Sequence, residues 1–167
     1  MTIWRGKQER HMRRAEREVT QLGQMLEIME RCDCCRLGLG DGDSVYIVPL
    51  NFGWKETAGK ITLFFHGAEA GKKMERLNAL PRAGFEMDTA HELVEHISAC
   101  GYTFRYQSII GKGRVTLVED SAEKLLGLQC ILTHYGGGER QDFAEEMVKR
   151  TAVIKLEVEE WSCKSHV

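Results

Sequence analysis

The residues with the clearest capacity for chemistry lie in FFHGAEAGKK, residues 64–73. An apolar run ends in His66, small residues follow, and two adjacent lysines, Lys72 and Lys73, come next. If a helix starts at the lysines, its first amide groups and the positive end of its dipole point in the same direction as the two ammonium groups, the arrangement that cradles a phosphate. The same letters also describe a strand leaving the sheet and entering the solvated first turn of a helix. Residue types alone leave both open, and a strand-end histidine with a satisfied hydrogen bond is the plain alternative to a reactive His66.

Cysteine is the other candidate. Cys32 and Cys35 of CDCC form a C-x-x-C pair, whereas Cys100, Cys130 and Cys163 are scattered. No second pair completes a tetrahedral set and the histidines have no ligand spacing, so no metal site is expected. The spacing fits a helix closed by Cys32, with Cys34 and Cys35 entering a strand as small buried residues. Walker-type, G-x-S-x-G and dinucleotide G-x-G-x-x-G motifs are missing, and the GKG at 111–113 has no helix after it.

Elements that could position these residues follow from periodicity. Thr20 is expected to cap a helix in which Leu22, Met25, Leu26 and Met29 recur at helical spacing up to Arg31. CRLGLG, the turn DGD at 41–43 and SVYIVPLNFGW read as a hairpin. KITLFFH is a further strand, with Ile61, Leu63 and Phe65 on one face and Thr62, Phe64 and His66 on the other. Gly71 to Leu80 reads as a helix ended by Pro81, and RAGFEMD returns to strand. YTFRYQSIIGKGRVTLVE reads as a long strand, or a pair bent at Gly111 and Gly113. Ser121 is expected to cap a helix to His134, Gly136 to Gly138 form a loop, DFAEEMVKR is a short helix, and AVIKLEVEEW alternates as a strand. Five to seven hairpin-linked strands with few helices close most naturally as a small, mostly antiparallel barrel.

Bulk properties bound the function. The chain of 167 residues, 43% hydrophobic, suits one domain over 1–167, with residues 1–18 as an N-terminal arm. A formal net charge of -2 argues against a nucleic-acid or anionic-membrane binder. The basic RHMRRAER is diluted by Glu9, Glu16 and Glu18 and is expected to be a solvated arm. With no membrane-length apolar run and no signal-peptide core, a cytoplasmic protein is expected.

The order of segments carries more information than any one motif. MRRAEREV (12–19), CRLGLGDGDSVYIVPLNFGW (35–54), ITLFFHGAEAGKK (61–73), FEMDT (85–89), YTFRYQSIIGKGRV (102–115) and RTAVIKLEVEE (150–160) together resemble the FMN-binding split-barrel proteins related to pyridoxamine 5'-phosphate oxidase, and within them the nitroimidazole-resistance (Nim-like) branch. The resemblance implies a mostly β split barrel with flanking helices, assembled as a homodimer with FMN at the subunit interface. It implies main-chain contacts from Val48, Pro49, Leu50 and Asn51 to the isoalloxazine, and a phosphate held by Lys72 or Lys73, with Lys73 preferred. It further implies contacts from Tyr106, Ser108 and Ile109, contributed by the partner subunit, and a catalytic position for His66 near the flavin. Pro49 suits an edge or bulge, where its missing N–H is not needed.

The resemblance has a limit. The arginine-rich C-terminal signature of true pyridoxamine phosphate oxidases is replaced here by EEWSCKSHV, so pyridoxal phosphate synthesis is not expected. The implied activity is an FMN-dependent oxidoreductase, a reduced nicotinamide or other donor supplying electrons to a small acceptor such as a nitroimidazole or another nitroaromatic. The alternatives are a flavin-binding protein without turnover, a binder of another planar cofactor such as haem, and a purely structural dimerising domain.

Overall fold

The computed structural model describes residues 14–138 and 142–167. A 3-10 turn at Ala15–Arg17 leads into β1 (Glu18–Val19), α1 (Leu22–Arg31), β2 (Cys35–Asp41), β3 (Ser44–Leu50), β4 (Phe52–Thr57), β5 (Lys60–Gly67) and α2 (Lys72–Ala79). Then come β6 (Arg82–Val94), β7 (Thr103–Val118), α3 (Ser121–His134), α4 (Glu145–Arg150) and β8 (Ala152–His166).

All the strands belong to one antiparallel sheet in the order β3-β2-β6-β7-β8-β5-β4, with β1 paired to β8. The strands at the two ends of that path, β3 and β4, are separated in sequence by Asn51 alone. Two Cα steps span at most about 7.6 Å, so the sheet has to curl until its ends meet. The result is a barrel whose final seam is a chain junction rather than a ladder of hydrogen bonds.

Alternation along the strands fills the barrel. Leu37, Leu63, Phe65, Met87, Ile109, Ile154 and Leu156 are all fully buried inside it, together with Met29 of α1. A second, smaller cluster lies outside, where Phe64, Val118 and Val153 meet Ile131 of α3. At its C-terminal end α3 is tied down by polar contacts: the Tyr135 hydroxyl donates to the Asp33 carbonyl at 2.7 Å and accepts from the Phe52 amide at 3.3 Å. The ring of His134 meets the Cys32 carbonyl at 2.7 Å.

Several sequence expectations shift. SVYIVPLNFGW is two strands, because the chain turns a barrel corner at Asn51. YTFRYQSIIGKGRVTLVE is one strand, and its irregularity is a register shift against β8 between Lys112 and Gly113. The cap of α3 is Asp120, whose side chain accepts from the Glu123 amide at 2.8 Å, rather than Ser121. Gln21, with no side-chain cap bond, precedes α1 in place of Thr20. The part of the expected solvated arm that can be described is folded onto the sheet: β8 continues past Trp161 to His166, and this extension gives β1 an edge to pair with. Residues 1–13 of that arm lie outside the described residues.

Candidate functional site

The β5–α2 junction is where the opening stretch FFHGAEAGKK acquires geometry. β5 ends at Gly67, and α2 begins after Gly71, whose φ of 108° lies in a region that glycine tolerates and L side chains rarely adopt. The first intrahelical bonds come from the amides of Met74 and Glu75 to the Gly71 carbonyl, so the amides of Lys72 and Lys73 precede them.

The two lysines then diverge. Lys72 is exposed and engaged: its Nζ lies 2.8 Å from Asp41 Oδ2 and 5.0 Å from the centre of the Tyr46 ring. Arg76, one turn on, holds the other Asp41 oxygen at 2.8 Å. The Lys72 hydrogen bond, with help from Arg76, keeps the Asp41 carboxyl below its ordinary range. Lys73 instead folds back against Gly67, where its Nζ occupies the space that a Cβ would need. Burial lowers its pKa from the ordinary lysine value, and among the described residues no carboxylate pairs with it. A partly desolvated cation without a counter-charge, beside free helix amides, is suited to a phosphate.

The remaining predicted residues divide into two groups. Phe52 stands opposite Phe65 in the β4–β5 ladder, so one further step sets Asn51 beside His66. Asn51, His66, Gly67 and Lys73 therefore gather at one end of the barrel. Val48, Pro49 and Leu50 run up to the same corner along β3, an edge strand of the kind in which proline is tolerated. Val48 and Leu50 turn their side chains to the core, and among the described residues no strand pairs with the outer main-chain edge of β3.

Tyr106, Ser108 and Ile109 lie elsewhere in the same chain. Across the sheet, Pro49 is opposite Arg36, Arg36 opposite Glu86, and Glu86 opposite Ile110. Three strand spacings, roughly 14 Å along the sheet, separate β3 from β7. The Ile109 side chain is wholly buried in the core, so only its main chain is open to a contact role. Tyr106 and Ser108 are half-buried on the opposite face of β7.

The face of β5 that carries His66 is largely covered by a helix. Phe64, on that face, is covered by α3 and packs with Ile131 and Val153, so most of the face is closed to a ligand. His66 lies past the edge of this cover and is exposed. Sequence reasoning missed Asp41, the residue that occupies Lys72. The only signal was an acidic residue at the hairpin turn DGD, which reads equally as turn chemistry.

Cys32 and Cys35 are part of the core. Cys32 closes α1, its Sγ 3.3 Å from the Ile28 carbonyl, and Cys35 opens β2. Burial pushes the Cys32 thiol up to about 12 and raises Cys35 as well. Among the described residues no group of three or more His, Cys, Asp or Glu side chains could hold a metal ion. No helix among them is long and apolar enough to cross a membrane.

Residues 22–165 match the family model for pyridoxamine 5'-phosphate oxidase. The chain belongs to that family. Its fold is the family's split barrel, mostly antiparallel sheet with flanking helices. Among solved structures, a protein from Bacteroides thetaiotaomicron described as a 5-nitroimidazole antibiotic resistance protein is similar at 27% identity and a TM-score of 0.76, over 88% of this chain and 85% of that one. A flavocytochrome from Azotobacter vinelandii superposes with a TM-score of 0.78 at 22% identity, over 96% of this chain and 75% of that one. An FAD- and haem-binding protein from Mycobacterium smegmatis gives 0.76 at 18% identity, over 89% and 73%. These last two likenesses concern the fold. No curated protein matches the chain.

Proposed function

We propose that this member of the family is an FMN-dependent oxidoreductase that works as a homodimer, with each flavin between two subunits. The observation that carries the reading is Lys73: an ammonium, partly buried and without a carboxylate partner among the described residues, at a helix start, on the same barrel corner as His66 and the outer edge of β3. In this reading Lys73 and the first amides of α2 hold the terminal phosphate. The main chain from Val48 to Asn51 hydrogen-bonds the polar edge of the ring, and His66 holds a proton within reach of a small acceptor. When bound, the flavin supplies the electron-accepting and electron-donating chemistry. The roughly 14 Å between β3 and β7 within one chain favours contacts from Tyr106 and Ser108 that come from a second copy.

Nitroimidazoles or other nitroaromatics are the acceptors this reading favours, supported by the resistance protein among the similar structures. A reduced nicotinamide is the proposed donor and the cytoplasm the proposed location. The FAD- and haem-binding neighbours make those cofactors the competing ligands. The test is to purify the protein, release its ligand by denaturation and measure its mass. FMN that is reduced by NADPH or NADH and reoxidised by a nitroaromatic supports the proposal. FAD, haem alone, or no flavin after reconstitution with excess FMN refutes it.

A further inference from the structure

At the C-terminal end of β8, a cavity of about 210 Å³ is lined by Arg14, Arg17, Tyr106 and Lys164. It is remote along the chain from the Lys73 corner, because Gly67 stands opposite Ala152 at the other end of the same strand. Three local features assemble it. The Arg17 amide donates to the Arg14 carbonyl at 3.1 Å and closes a 3-10 turn. In such a turn residues three apart eclipse, so the two guanidinium stems leave on the same side.

The second feature is the short β1 strand. Glu18 stands opposite Lys164 and Val19 opposite Cys163, and this pairing docks the arginine turn against the strand that carries Lys164. The third is the β7–β8 ladder. Ser108 is opposite Lys164 and Tyr106 opposite His166, which makes Tyr106 and Lys164 diagonal neighbours on one face. The Tyr106 ring is held edge-on to His166, with centroids 6.1 Å apart.

Among the described residues the lining holds three cations and a phenol, and no carboxylate. Among the described residues none of Arg14, Arg17 and Lys164 forms an ion pair. Like charges gathered in this way repel, and a multi-oxygen anion would turn that repulsion into attraction. Guanidinium forks match phosphate oxygens in pairs, and the phenol adds one more donor. The volume is below the roughly 300 Å³ at which pockets for drug-sized molecules begin, so it suits a phosphoryl group better than a flavin ring.

We propose that this cavity binds the phosphoryl group of a small anionic ligand, at a phosphate position distinct from the one at Lys73. The inference does not depend on the flavin reading. Inorganic phosphate is the probe, titrated calorimetrically into the protein as purified, at ionic strength held constant with chloride. Flavin content is measured on the same samples. Saturable binding of phosphate is expected in the wild type and in Lys73→Ala. Binding roughly tenfold or more weaker is expected in Arg17→Gln and in Lys164→Gln, with partial recovery in Arg17→Lys and flavin content unchanged in the Arg17 and Lys164 variants. The site is refuted if phosphate does not saturate the wild type, if the two glutamine variants bind it as tightly as the wild type, or if binding is lost in Lys73→Ala. Loss of flavin in both glutamine variants also refutes it, because the cavity would then be part of the flavin site. Absence of flavin from every sample sinks the oxidoreductase proposal and leaves phosphate binding readable.

Discussion

Lys72 and Lys73 are adjacent in sequence and opposite in circumstance. In the proposed site Lys73→Ala would remove a charge-assisted hydrogen bond to the phosphate worth about 1.5–3 kcal/mol, so FMN affinity measured by fluorescence titration should fall roughly ten- to hundredfold. Lys72→Ala should cost much less, since its ammonium is already held by Asp41. Equal losses in the two variants would contradict the assignment. Because burial lowers the Lys73 pKa, FMN affinity should also decline with rising pH before the ordinary lysine range is reached. An affinity flat up to that range would remove Lys73 from the phosphate site. Asp41 behaves in the opposite sense: its folded pKa is depressed, so its contribution to stability is present above the unfolded carboxylate pKa and is lost as pH falls through the folded value. Asp41→Asn should therefore be less stable than the wild type near neutrality and converge on it in strong acid, as followed by urea unfolding. The lysine pair was legible in the sequence as a cluster. Which lysine is available was not, because that depends on Asp41, at the end of β2 and distant in sequence.

At the scale of elements, the docking of α3 onto β4 depends on a missing side chain. A Cβ on Gly53 would strike the backbone of Cys130 and Ile131, so Gly53→Ala must push helix and strand apart. Overpacking of this kind costs typically 1–3 kcal/mol, and the urea midpoint should drop with the slope unchanged. A midpoint equal to that of the wild type would mean that the helix yields freely. Periodicity identified most elements because alternation and helical spacing are local properties: the hairpin turn at DGD, the helix ending at Ala79 and the start of β8 all emerge as expected. The misplacements have non-local causes. β4 separates from β3 because a barrel has corners, and β6 and β8 outrun their apolar patterns because partner strands extend them.

The whole molecule leaves an apolar face uncovered. Val45 and Ile47 of β3 and Ile110 of β7 are each more than half exposed, over a floor formed by Gly38 and Gly84. A patch of this kind suits association with another surface, and in the proposed dimer it is the natural region for a second barrel to cover. Ile47→Glu should then shift sedimentation from dimer to monomer and release FMN together with the loss of assembly. A monomeric wild type that retains FMN contradicts the shared site. Closure of the sheet was legible as a class of fold, from the number of strands and their hairpins. The identity of the uncovered face was not, since Val45 and Ile47 alternate like any half-buried strand.

The single-residue link at Asn51 also bears on how the chain acquires its structure. The hairpins β2–β3 and β4–β5 lie on either side of it and are built from contacts close in sequence, yet they end at opposite extremes of the sheet, with β6, β7 and β8 between them. β8, which joins β5 to β7, follows all the other strands of the sheet in chain order. During translation the first hairpins must therefore wait with Leu37, Leu63 and Phe65 uncovered until β8 emerges. Loop closure of that range makes folding slow and leaves the nascent chain exposed to aggregation. A chain ending before Ala152 should be insoluble or bound to chaperones, while the full chain should refold in a single late step to which β8 contributes.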